Sequence, residues 1–148
     1  MKVVFDVNVI IDVWGRSENF ALSFQALDVA IFKGYQPYIT SSMAPSIVYL
    51  LAARKYLTVK EARVAFGTIM QFLNVLDVTD ADCRCAQKSV MDDFEDALIA
   101  SAAERHGVDF IVTRNKRDFD KSPVPALTPE EFVNLYKPTC LDYDLVEI

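Results

Sequence analysis

The chain of 148 residues is long enough for one domain with a real core, and 52% hydrophobic and 24% charged residues is ordinary for a globular protein. No apolar run reaches the roughly 18–20 residues that a membrane helix needs, and Met1–Asp6 lacks a signal-peptide layout, so a cytoplasmic location is expected. A net charge of −6 excludes a broad basic nucleic-acid surface, leaving a local basic patch or bound cations for any such role.

In chain order, Lys2–Phe5 is a short β-branched run that reads as a buried parallel strand ending on Asp6. Val9–Trp14 reads as a short helical turn. Ser17 or Asn19 then caps a helix over Phe20–Lys33, stopped by Gly34. Tyr38–Thr40 is a second strand, and Ser41 or Ser42 caps a third helix with Pro45 in its first turn. Thr58 and Glu61 form a capping box for a fourth helix. Asn74–Val78 is a third strand, and Thr79 or Asp80 opens a fifth helix reaching about Val90. Asp92 or Asp93 caps the next helix, which runs to Arg105-His106-Gly107, with His106 as a partner of the helix dipole. Phe110–Thr113 is a strand, Arg114–Phe119 a polar loop, and Val124–Leu127 an edge strand because of its prolines. Thr128-Pro129-Glu130-Glu131 starts a last helix that ends at Lys137-Pro138. Residues 139–148 form a tail whose alternation of Leu141, Tyr143 and Leu145 suits an added strand or a docking segment. Strands alternating with helices predict one α/β domain, residues 1–148, with a mostly parallel central sheet and helices on both faces.

In such a sheet the carboxyl ends of the strands and the starts of the following helices share one edge, where ligands bind. Asp6 and Asn8, then Ser41, Ser42 and Ser46, then Asp92, Asp93 and Asp96, and finally Thr113, Asn115 and Asp118 all fall on that edge. Asp93 and Asp96 are three apart and share a helix face. Ala100 and Ala103 continue that face with small residues, which allows close packing. Clustered carboxylates either take up protons or bind cations. Oxygen donors without nearby histidine or paired cysteine point to Mg²⁺ or Mn²⁺ rather than zinc. Acids at a helix start are also favoured by capping and the macrodipole, and that plainer explanation is preferred for Asp92 and Glu95. Cys83-x-Cys85 is too tight for a zinc ribbon, and Cys83, Cys85 and Cys140 are expected to be free thiols.

Three stretches, Val4–Ile10, Asp93–Ala100 and Ile111–Phe119, resemble the three signature blocks of PIN-domain ribonucleases, in the family's order and over nearly the whole chain up to about Tyr136. The resemblance implies a Rossmann-like three-layer fold and Mg²⁺- or Mn²⁺-dependent cleavage of RNA. It also implies, from VapC-type toxin–antitoxin pairs, a small antitoxin partner and a homodimer. By position, Asp6 and Asp96 match the family's acids, Asn115 or Asp118 the polar position after the Thr-Arg pair, and Asp93 an accessory acid. Asn8 and Thr113 look like residues that orient the carboxylates. In one place the chain departs from the family. Ser46 stands about where an acid is usual, and no Asp or Glu occurs between Asp28 and Glu61. The leading expectation is therefore a metal-dependent endoribonuclease. The alternative is a weak or silent PIN-like module that binds RNA or a partner. A phosphatase-like enzyme is a third reading, against which Asp6-Val7-Asn8 lacks a second acid. Arg54, Lys55, Arg114, Lys116, Arg117 and Lys121 could supply a phosphate-binding rim or merely a solvated face. Trp14 and Phe20 are expected to serve packing or dimer contacts rather than base stacking.

Overall fold

The computed structural model describes residues 1–145, so Val146, Glu147 and Ile148 at the end of the expected tail lie outside the described residues. Five strands form one parallel sheet: β1 Lys2–Phe5, β2 Gln36–Thr40, β3 Asn74–Leu76, β4 Phe110–Val112 and β5 Ala126–Leu127. Their spatial order is β3-β2-β1-β4-β5, and every pairing is parallel. β1 is the centre because Val3, Val4 and Phe5 are wholly buried and can lie between two neighbours. β5 is two residues long and follows Pro123 and Pro125. Proline cannot donate to a ladder, which suits an edge.

The helices are α1 Val7–Trp14, α2 Phe20–Phe32, α3 Ala44–Ala53, α4 Val59–Phe72, α5 Asp80–Gln87, α6 Phe94–Arg105 and α7 Pro129–Tyr136. The chain steps β1 to β2 to β3 in one direction, then jumps back across β1 to β4. Because parallel crossovers are right-handed, that reversal sends α1 to α4 to one face and α5 and α6 to the other. The packing agrees: α2 lies against α1 and α7, α1 and α4 lie against α3, and α5 lies against α6. The turning point falls between β1 and β4, where a doubly wound sheet opens a crevice.

Several local signals act as their chemistry predicts. Thr58, Thr79 and Thr128 each accept from a backbone N–H three residues on, and Glu61, Asp82 and Glu131 return the bond. Three details differ from expectation. α3 is entered through a 3₁₀ turn, Ser41–Met43, with no side-chain cap. Ser41 instead accepts from the Val78 N–H at 3.0 Å, and Ser42 shares a hydrogen bond with Thr40 at 2.8 Å. α5 stops at Gln87, and β3 ends at Leu76 because Asp77 turns away to meet α6. There Arg105 reaches Asp82 at 2.9 Å and the Asp77 carbonyl at 2.8 Å, while His106 pairs with Asp77 at 2.7 Å. His106 therefore works through a neighbouring acid as well as through a helix end.

Among the described residues the tail adds no strand to the sheet. Residues Tyr143–Leu145 make a 3₁₀ turn, and the Tyr143 hydroxyl donates to Asp28 of α2 at 2.6 Å. On the sheet, Phe132 of α7 is fully buried edge-on to Phe5, ring centres 6.3 Å apart. Phe132→Ala is expected to cost about 3–5 kcal/mol, read as a lowered denaturation midpoint in urea.

Candidate metal centre at the sheet reversal

Asp6 closes β1 and at the same time caps α1. Its Oδ1 accepts from the Val7 N–H at 2.8 Å, which extends the helix two residues earlier than the sequence predicts. Its Oδ2 accepts from the Thr113 hydroxyl at 2.8 Å and from Asn8 Nδ2 at 3.3 Å. Thr113, at the end of β4, is wholly buried, and its oxygen also accepts from the Asn115 N–H at 3.0 Å. The Asn8 side-chain Oδ1 accepts from the Arg114 backbone N–H at 3.2 Å. Both oxygens of Asp6 are thus held by donors from the start of α1 and the end of β4. Burial pushes the Asp6 pKa up, the Thr113 and Val7 bonds pull it back, and the charges of Glu95 and Asp118 push it up again.

Of the two acids expected to cap α6, Asp93 takes the role: its Oδ1 accepts from the Asp96 N–H at 2.9 Å. Asp92 is exposed on the approach to the helix. Asp96 lies half-buried, and its pKa rises from the ordinary 3.8 to about 7. Burial is the largest cause, followed by the negative charges of Asp6, Asp93, Asp118 and Glu95. Asp118, on the 3₁₀ turn Lys116–Phe119, is therefore the member of the Asn115/Asp118 pair whose charge is felt at both Asp6 and Asp96. The Asn115 side chain is exposed on the same loop. Glu95 reaches sideways from α6 to α3, where its Oε1 accepts from the Ser46 hydroxyl at 3.3 Å. Among the described residues, no three acids, cysteines or histidines close into a finished ligand cage. The acids influence one another through charge.

A second cluster stands behind the first and escapes a motif search. Asp12 is 1% exposed in the middle of apolar α1 and accepts from Ser17 at 2.6 Å, Ser23 at 2.7 Å and Arg114 Nε at 2.7 Å. The only sign in the sequence is an acid interrupting the run Val9–Trp14. Arg114 therefore braces the loop after β4 onto α1. Lys116 pairs with Glu131 at 2.8 Å. Arg54 and Lys55 follow ten-residue α3, about 15 Å from the edge where that helix begins. Arg117 and Lys121 are left facing the acids, in a cleft of about 260 Å³ shared with Met91, Asp92, Asp93, Asp118 and Asp120. Trp14 packs on Phe72 at 6.3 Å between ring centres, and Phe20 stacks on Phe24 at 5.4 Å. With Val13, Leu27 and Ile31 these rings line an open apolar groove of about 420 Å³.

A doubly wound parallel sheet with acids gathered at its reversal point defines the class. The family model described as "PIN domain" matches residues 2–117, and the chain belongs to that family. No curated protein sequence matches. Among solved structures, the fold is similar to a chain of the VapBC2 complex from Rickettsia felis bound to promoter DNA. The TM-score is 0.67 at 18% identity, covering 86% of this chain and 98% of that one. A chain of VapBC-1 from nontypeable Haemophilus influenzae gives 0.65 at 14%, covering 88% and 99%. A toxin–antitoxin complex from Klebsiella pneumoniae gives 0.60 at 22%, covering 86% and 97%. At these identities the likeness is one of fold. No helix among the described residues is long and apolar enough to cross a membrane.

Two measurements probe the site without any ligand. A carboxyl whose folded pKa is raised lends stability below its unfolded pKa and loses it as pH rises through the folded value. For Asp96 that window runs from about 4 to about 7. In chelator, Asp96→Asn should melt above the wild type at pH 8, with the gap shrinking toward pH 5; a constant gap would contradict the crowding. Separately, Arg114→Met strands the buried Asp12 charge. Chemical denaturation should show a loss toward the lower end of roughly 3–5 kcal/mol, since the arginine is one-third exposed.

Proposed function

We propose that the protein is a divalent-metal-dependent endoribonuclease acting in the cytoplasm as the toxin half of a toxin–antitoxin pair. The observation that supports this reading is that Asp96, half-buried at the start of α6, feels the charges of Asp6 and Asp118 beside the β1/β4 reversal of a PIN-domain chain. The donor set fits Mg²⁺ or Mn²⁺, because it offers carboxylate oxygens without imidazole or thiolate. The raised pKa of Asp96 supports the fit. Burial first, and then like charges, hold its proton on, and a dication would relieve the repulsion. Asp6, Asp93, Asp96 and Asp118 would hold the ion. When bound, it supplies an acidified water and a counter-charge for the phosphodiester under attack.

The chain's own residues do the rest. Thr113 and Asn8 keep Asp6 turned toward the crevice, and the Asp93 cap fixes where Asp96 begins its helix. Asn115, on the loop between Thr113 and Asp118, is placed to touch substrate beside the metal. Asp6, Asp96, Asn115 and Asp118 are the catalytic group in this reading. Arg117 and Lys121 suit the RNA backbone on the side of Asp118, in a cleft they share with four acids, so bound cations would offset the remaining phosphate charge. A protein partner is supported by fold-neighbours that come from VapBC and toxin–antitoxin complexes, and by the apolar groove of Trp14, Phe20 and Phe72. A homodimer belongs to the same reading.

Ser46 favours one competing reading, a silent module that binds RNA or a partner but holds no metal. Cleavage of a mixed RNA pool should require Mn²⁺ or Mg²⁺ and fall at least about 100-fold in Asp6→Asn and in Asp96→Asn. Cleavage surviving both substitutions would remove the assigned site. Titration of the wild type with Mn²⁺ to millimolar concentration without any heat of binding would favour the silent module.

A further inference from the structure

We infer that Glu95, the second residue of α6, supplies to the divalent cation the acid that α3 lacks. This rests on the metal-dependent reading above and adds a ligand to it. No Asp or Glu lies between Asp28 and Glu61, so neither β2 nor α3 can bring a carboxylate to the crevice. Ser46, the third residue of α3, holds that place with a hydroxyl too short to extend from it. The Glu95 carboxylate crosses from α6 instead, and its Oε1 accepts from the Ser46 hydroxyl at 3.3 Å.

The capping explanation accounts poorly for this direction. Asp93 already caps α6 by accepting from the Asp96 N–H, and the Glu95 carboxylate is bonded to a different helix instead. Among the described residues Glu95 has no cationic partner, and Ser46 is its side chain's hydrogen-bond donor. A glutamate at position 46 would meet Glu95 head-on. The crevice therefore has one place for this acid, reachable from α3 or from α6, and this chain fills it from α6.

Calorimetric titration of the full chain with Mn²⁺ separates the outcomes. Glu95→Gln keeps the shape and an acceptor for Ser46 but removes the charge, and should weaken Mn²⁺ binding about 10- to 100-fold. Moving the acid across, in Ser46→Glu combined with Glu95→Gln, should bring affinity back to within a few-fold of the wild type. Glu95→Gln binding as tightly as the wild type, while Asp96→Asn does not bind, would sink the inference and leave the metal site standing. A loss in Glu95→Gln that the double variant does not restore would equally refute the shared place. Absence of binding by the wild type itself would overturn the metal reading and this one with it. Thermal melts in chelator check that each variant is folded.

Discussion

The fold turns on the buried carboxylate of Asp6 at the end of the central strand. A carboxylate removed from water is tolerable only when its oxygens are met by donors, and here they come from the start of α1 and from the end of β4. Val7 offers the first N–H of α1, Thr113 comes from the end of β4, and Asn8 links both to Arg114. The bonds that make the acid acceptable also fasten together the two strands between which the sheet changes direction. A parallel sheet that reverses its winding leaves a gap at that place, since the flanking helices depart to opposite faces. The same residue therefore closes the core and lies at the floor of the crevice.

Around it the chain concentrates negative charge that a structure optimised for stability alone would disperse. Asp96 is pushed to about 7 by burial and by four neighbouring acids, so part of the crevice is protonated near neutrality without a counter-ion. Such strain is common where a protein prepares a place for a charged ligand. The cost is met behind the site, where Asp12 and Arg114 form an ion pair supported by Ser17 and Ser23. That pair ties α1, α2 and the loop after β4 into one body, so the acids are carried on a braced frame. The far end of α6 is held by Arg105 on Asp82, leaving its acidic start with little freedom to back away.

The start of α6 shows how one acidic run divides its work. Asp93 accepts from the backbone of Asp96, Asp96 lies half-buried among the other acids, and Glu95 leans across to Ser46. In sequence the four acids Asp92, Asp93, Glu95 and Asp96 look equivalent, and a helix dipole favours all of them. Which becomes a cap and which faces inward depends on neighbours contributed by β1 and α3, residues far away along the chain.

The sequence by itself determined the alternation of strands and helices, two of the helix caps, the parallel sheet and the edge on which the acids lie. Those features are set by periodicity and by residues within four positions of one another, and such signals are local. The three blocks around Asp6, Asp96 and Asp118 were legible for the same reason, each being a short run with its own chemistry. Only the tertiary structure decided that Arg114 braces Asp12 rather than joining a basic rim, that the tail docks Tyr143 on α2 rather than adding a strand, and that Asp93 rather than Asp92 caps α6. It also decided that the acidic stretch is answered by Ser46, 49 residues earlier, across the gap between two helices. Contacts of that range follow from how the helices pack on the sheet, and no local pattern of residues encodes which side chain will be waiting on the other side.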